Sequence, residues 1–287
     1  MLQALANGLL TGAMYGVSAL GLSLIYGVLD VVNFAHGALI MIGMYVSYWL
    51  WAITKLDVYI ILFPTLIIMF IIGVLLQILV IKPVIREKGS HINAIFATTC
   101  VGLILENLTL LLFGPNYKVV DTPIKTLTYN LGETIIIAPK LFGAVIAIVL
   151  TILLHLLLKK TYIGRAIRAT AQNKEAALTI GVNTEQTFGI AFGIGCALAA
   201  VAGTLFLPMY YVSPTVGHSF STKSFIIVVL GGMGSIYGAM LGGLVVGLVE
   251  AIASLFMRNT LVEIMVFAIF VLFLFLKPHG LLGRKGY

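Results

Sequence analysis

Long apolar runs separated by short polar intervals fill the chain, near 5–28, 35–54, 58–81, 92–113, 135–158, 187–207, 236–256 and 260–276. Each approaches the roughly 20 residues that a helix needs to cross about 30 Å of hydrocarbon. The pattern therefore predicts an all-α fold, a polytopic membrane helix bundle with eight or nine transmembrane segments. The first run lacks a basic leader, so it is expected to stay as a membrane helix and not to be cleaved as a signal peptide. One piece fits poorly. Phe225–Ile236, FIIVVLGGMGSI, would make a helix only about 18 Å long, which leaves a short crossing or a re-entrant segment as readings.

The basic residues settle orientation. Lys82, Arg86 and Lys88 follow the third run, Lys159, Lys160, Arg165, Arg168 and Lys174 follow the fifth, and Lys277, Arg284 and Lys285 close the chain. Such clusters stay on the cytoplasmic side, so the C-terminus is expected inside. Runs three, five and the last then travel inward, which puts the N-terminus outside and requires an odd number of crossings. Eight long runs break that parity, and counting Phe225–Ile236 as a ninth crossing restores it. The interval Gly114–Glu133 falls outside.

Composition confirms the class and removes others. With 61% hydrophobic and 9% charged residues and a mean hydropathy of +1.12, a soluble domain could not hide so much apolar surface, whereas the lipid bilayer is a natural partner. A net charge of +7 could suit nucleic acid, but the basic residues are confined to intervals between apolar runs, so no nucleic-acid partner is expected. Cys100 and Cys196 both fall inside apolar runs without metal or disulfide spacing and read as small packing residues.

The two ends of the chain echo each other. Gly8, Gly12 and Gly16 form a four-residue ladder ahead of YGVLDVVNFAHGALIMIGMY, and Gly234, Gly238 and Gly242 form a second beside VVLGGMGSIYGAMLGG. Ladders of this kind let helix backbones touch. Each adjoins an interrupted apolar stretch, a pointer to an internal repeat with broken helices around a substrate path; common membrane glycine is the plainer reading.

Polar residues within apolar flanks are the candidates for that path or its gate: Asn33, His36 and Tyr45 in the first broken stretch, Gly231, Gly232 and Gly234 in the second, and the carboxylates Glu106 and Glu250. A buried carboxylate at membrane depth is costly unless paired, protonated or wetted. Asn33 and His36 could instead form a solvated turn, with Asn33 capping the second helix, and Glu106 and Glu250 could serve helix packing. His155 reads as interfacial. No nucleophile triad, Cys and His cluster or GxxxxGK loop occurs, so the chain is read as a transport subunit, not an enzyme.

The longest polar, basic interval is 159–185, KKTYIGRAIRATAQNKEAALTIGVNTE. Its helix formers predict an ordered loop with a short helix on the cytoplasmic side, where a soluble partner docks.

Together, YGVLDVVNFAHGALIMIGMY, GRAIRATAQNKEAALTIGVN and VVLGGMGSIYGAMLGG resemble the permeases of branched-chain amino-acid ABC importers, the LivH type, over nearly the whole chain. The resemblance implies one transmembrane permease domain over 1–287, whose loop 159–185 couples to an ABC ATPase through Gly164, Arg165, Arg168 and the pattern Glu175, Ala176, Ala177, Gly181. It further implies ATP and Mg bound on partner ATPase subunits and no cofactor on this chain. Other implied partners are a second permease, homologous or a copy of itself, and a periplasmic or lipid-anchored binding protein, in a prokaryotic inner membrane. Its cargo would be branched-chain or other apolar amino acids, along an apolar, weakly binding path. Ala38, following His36-Gly37 where many relatives carry an acidic residue, leaves urea or short amides as alternative cargo. An ion-coupled secondary transporter, or a channel or structural subunit, is the rival from outside the family.

Overall fold

The computed structural model describes residues 1–85, 90–131, 134–278 and 280–282. Arg86, Lys88, Glu133, Arg284 and Lys285 of the reading above lie outside the described residues. Among those described, seven helices are long and apolar enough to cross a membrane. They are α1 (Leu2–Leu29), α2 (His36–Thr54), α3 (Val58–Leu76) with its continuation, α5 (Ser90–Phe113), α6 (Ala138–Lys160), α9 (Thr184–Phe206) and α11 (Ile236–Ala253). The continuation of α3 is a π-helical turn, Gln77–Ile81, and α4 (Lys82–Ile85). Two shorter apolar helices, α10 (Val216–Gly231) and α12 (Asn259–Leu276), complete the bundle, and α7 (Tyr162–Gln172) and α8 (Lys174–Thr179) lie between α6 and α9.

Start and stop signals are local. Asp57 accepts from the Tyr59 amide at 3.0 Å, Asn183 from Gln186 at 3.0 Å and Ser235 from Gly238 at 3.1 Å, each satisfying an orphan donor at a helix start. Asp30 and Lys55 take left-handed φ values of 54° and 56° at the ends of α1 and α2.

The core is built on α1 and α9, which are buried over most of their length. On α3, in contrast, Ile60, Phe63, Ile67, Ile71 and Leu75 form an exposed stripe at helical spacing, the surface expected to meet lipid. The first glycine ladder explains how α1 is buried. A Cβ on Gly8 would fall 2.8 Å from the Ala251 Cβ, and one on Gly12 would fall 2.8 Å from the Gly243 carbonyl oxygen, so α1 and α11 run antiparallel with backbones in contact. The α11 residues that meet this ladder are Gly243 and Gly247. The second ladder of the sequence faces elsewhere: Gly238 and Gly242 pack on Gly231 and Ile227 of α10, and Gly234 on Gly27.

The expected ninth crossing at Phe225–Ile236 is displaced. Its helix is α10, which starts at Val216 and ends at Gly231, and Gly232–Ser235 form the turn into α11. Nine residues of polar and mixed sequence, VGHSFSTKS, hide its beginning from a hydropathy reading, and Gly232 to Ile236 lie outside it. A second departure is the antiparallel hairpin of β1 (Thr128–Leu131) and β2 (Thr134–Ile137), where the β-branched run TIII pairs as a strand. The fifth apolar run therefore becomes helical only from Ala138. Gln3 secures the hairpin, donating to the Ile135 carbonyl at 2.6 Å and accepting from its amide at 2.9 Å.

Two helices begin inside the bundle. After α1 ends, residues 30–35 turn back so that His36, opening α2, sits against Ser18 and Gly21, about two to three helical turns up α1 from its end. After α9, residues 207–215 likewise turn inward, held by the bridge between Lys118 and Val212, and α10 opens against Gly37. The two helix, inward turn, helix units run in opposite directions. The second break thus lies before α10, at 207–215, where the sequence reading placed it beside Gly234.

Candidate functional site

Polar side chains gather around the two inward turns. The Ser18 carbonyl can only accept, so His36 donates to it through Nε2 at 2.7 Å. The Ser18 hydroxyl donates to the Tyr15 carbonyl at 2.7 Å and accepts from Ser224 of α10 at 3.0 Å. Ser18 therefore ties α1, α2 and α10 together at one level. Asn33 and His36 are both buried, which is not the solvated surface turn the sequence also allowed. Asn33 Oδ1 accepts from the Ala35 amide at 3.1 Å, inside its own turn, and α2 has no side-chain cap. Asn33 Nδ2 and His36 Nδ1 find no partner among the described residues. Tyr45 is buried one helix face away, its ring stacked on Phe113 at 5.0 Å.

The two carboxylates singled out in the sequence, Glu106 and Glu250, are paired. His218 Nε2 donates to Glu106 Oε1 at 2.9 Å, linking α10 to α5. Lys223, midway along α10, donates from Nζ to Glu250 Oε1 of α11 at 2.8 Å and to the Tyr15 hydroxyl of α1 at 2.9 Å. Lys223 and His218 are missing from the sequence reading because the polar start of α10 looks like a loop, and Tyr15 of α1 is missing because only the fold brings it to Lys223. A helical count would have found the two on α10: His218, Ser219 and Thr222 fall on one face, with Lys223 beside it.

That face is exposed. His218, Ser219 and Thr222 are open to the surface of the chain, and the His218 side chain is 70% exposed. An α10 of 16 residues spans only about 24 Å, so these groups lie at membrane depth. Lipid cannot satisfy polar groups there, so this face turns to water or to protein. It opens into a cavity of about 240 Å³ between α10, α11 and α12, lined by Lys223, Glu250, Glu263, Ile226, Val266 and neighbours.

Gly231, Gly232 and Gly234 sit elsewhere. Gly232 and Gly234 take φ values of 103° and 78°, which a side chain would resist. The Leu230 and Gly231 carbonyls accept from the Leu281 and Leu282 amides at 2.8 and 2.9 Å. The glycine turn thus holds the C-terminal segment at the end of the bundle that carries Lys82, Lys159 and Lys160, away from Lys223.

At that basic end, α7 and α8 form an ordered excursion. Thr161 accepts from the Gly164 amide at 3.0 Å, and a Cβ on Gly164 would collide with the Leu157 and Leu158 backbone, so α7 folds tightly back on α6. Arg168 donates to the Leu158 carbonyl and so caps α6, while Arg165 is exposed. Asn173 caps α8, accepting from Ala176 at 2.9 Å, and Gly181 ends it with φ +83°. Ala177 faces inward at 2% exposure, whereas Leu178 and Ile180 stand 51% and 74% exposed beside Glu175 and Ala176. Of the two alanines expected to touch a partner, Ala177 is therefore core while Ala176 stays exposed, and the outward tip is aliphatic. Lys82 and Glu185, 2.7 Å apart, tie α4 to the first turn of α9, where the excursion ends.

Cys196 is buried against Gly73, and Cys100 is exposed. Among the described residues, no group of three or more His, Cys, Asp or Glu could hold a metal ion.

Residues 4–274 match the family described as branched-chain amino acid transport system, permease component. The chain is 31% identical to the high-affinity branched-chain amino acid transport system permease protein LivH of Salmonella typhimurium, with 99% of this chain and 96% of the relative covered. It is 30% identical, at the same coverage of both chains, to the corresponding LivH of Escherichia coli K12 and to BraD of Pseudomonas aeruginosa. No solved structure matches. A helical membrane bundle with paired carboxylates and an ordered excursion, matched from near its first residue to the end of α12, belongs to the family of branched-chain amino acid transport permeases.

Proposed function

We propose that this chain is the membrane-spanning subunit of an ATP-driven importer for branched-chain or other apolar amino acids delivered by an external binding protein. The observation that carries this reading is the α7–α8 excursion, an ordered element at the basic end on which Leu178 and Ile180 stand exposed. Such an aliphatic tip on an ordered support fits a groove in a soluble partner. That partner is an ATPase subunit, which binds ATP and Mg. The basic end faces the cytoplasm of a prokaryotic inner membrane, as the distribution of Lys and Arg requires, and the N-terminus lies outside.

A second permease, homologous or identical, covers the polar face of α10, because lipid cannot. The wetted path runs along that face. ATP binding then acts through two packings of the bundle that differ in affinity for the ATPase dimer. An ion-coupled carrier could use the Lys223–Glu250 pair, but it gives the excursion no role.

The test is ATP hydrolysis by the reconstituted complex with and without loaded binding protein, beside leucine uptake in the presence of an uncoupler. Stimulated hydrolysis and uncoupler-resistant uptake are expected. Uptake that collapses with the proton gradient at constant ATP would overturn the reading.

A further inference from the structure

The cavity between α10, α11 and α12 joins both signs of charge to an apolar wall. We propose that it binds the transported amino acid as an intact zwitterion, its carboxylate on Lys223, its ammonium on Glu263, and its side chain against Ile226 and Val266. This inference rests on the transport reading above and adds a ligand site to it.

The donor and acceptor balance carries the argument. An ammonium has three hydrogens, and Lys223 spends two, on Glu250 Oε1 and the Tyr15 hydroxyl. One donor remains. On Glu250, Oε1 is occupied, while Oε2 is buried without a partner. That oxygen has no surface of its own, so the accessible anionic acceptor in the same lining is Glu263, exposed on α12. One cationic donor and one anionic acceptor therefore remain in the same lining. A free α-amino acid offers the matching pair, carboxylate and ammonium on one carbon.

Size and wall chemistry agree. At about 240 Å³ the cavity lies below the roughly 300–1,000 Å³ of pockets for drug-sized ligands. Buried Val262 and Val266 of α12 and Ile226 of α10 form its apolar side. Glu263 is exposed on the same helix and supplies a second, accessible carboxylate. A cavity for a neutral amide would need no ionised groups at a depth where each is costly.

The experiment uses the complete transporter in proteoliposomes, with ATP inside and saturating loaded binding protein outside. Glu263→Gln is expected to slow leucine uptake about tenfold, and Val266→Phe to slow leucine more than valine, also about tenfold, as loss of room for one methylene implies. Should Val266→Phe fail to assemble, Ile226→Ala widens the same wall and is expected to shift the leucine to valine ratio toward leucine. Direct binding to the purified complex is then measured with leucine, 3-methylbutylamine and 4-methylpentanoate, of which only leucine should bind. Equal binding of the amine or the acid overturns the zwitterion site, as does an unchanged leucine to valine ratio in the wall variants. Absence of ATP-driven uptake of any amino acid by the wild type overturns the transport reading instead.

Discussion

Gly37 and Gly217 are packed backbone to backbone where α2 and α10 begin, each occupying the space in which the other's Cβ would stand. Because both helices start inside the bundle, this single crossing fixes where the two inward turns meet. It also sets the height of Ser224 and Lys223 on α10 relative to Ser18 and Tyr15 on α1.

Gly217→Ala places a methyl 2.7 Å from the Gly37 carbonyl oxygen, a backbone atom that cannot rotate away. The expected cost is about 1–3 kcal/mol, as for other overpacked contacts. Thermal unfolding of the purified chain in detergent should show a lower Tm, and an unchanged Tm would mean that the crossing is loose.

The Lys223–Glu250 pair gives a test of burial. Lys223→Met alone strands a carboxylate at membrane depth, at about 2.5–3.5 kcal/mol on insertion scales, whereas Lys223→Met with Glu250→Gln removes both charges. The single variant should be the less stable of the two in a thermal scan. Equal stability would mean that the 2.8 Å contact contributes nothing to the fold.

For the excursion, Leu178→Asp and Ile180→Asp should abolish stimulation of ATP hydrolysis by loaded binding protein while leaving the chain folded, since both side chains are exposed. Ala177→Trp should behave differently. Its site is 2% exposed and internal, so the indole displaces α8 and lowers Tm. Gly181→Val, at φ +83°, adds strain of about 1–2 kcal/mol to the same turn. Normal stimulation in the aspartate variants would remove this tip from the ATPase contact.

Topology is read by single cysteines in the Cys100→Ser, Cys196→Ala background. A cysteine at Lys125, beyond α5, should react with an impermeant thiol reagent from outside, and one at Asn173 from inside only. Reaction of both from one side would break the nine-crossing arrangement and the orientation drawn from Lys and Arg.

Hydropathy and charge were enough to read the membrane class, eight apolar runs of which seven fall on the long helices, and the place of the excursion, because each depends on composition over many adjacent residues. Gly181 was legible too, since a helix that stops at glycine needs little beyond the local chain. Pairings between distant segments were not. Glu250 stood out as a carboxylate within an apolar run, but its partner Lys223 lay in a polar stretch 27 residues away, and only the packing of α10 on α11 brings the two together. Ala177 illustrates the same limit: in sequence it is one of two equivalent alanines, and only the folding of α8 onto its own chain turns one of them inward. The sequence by itself determined that the chain must live in a bilayer and which residues are costly there. Tertiary structure decided which of those residues meet, because a charge at membrane depth is tolerated only where another helix brings it a partner.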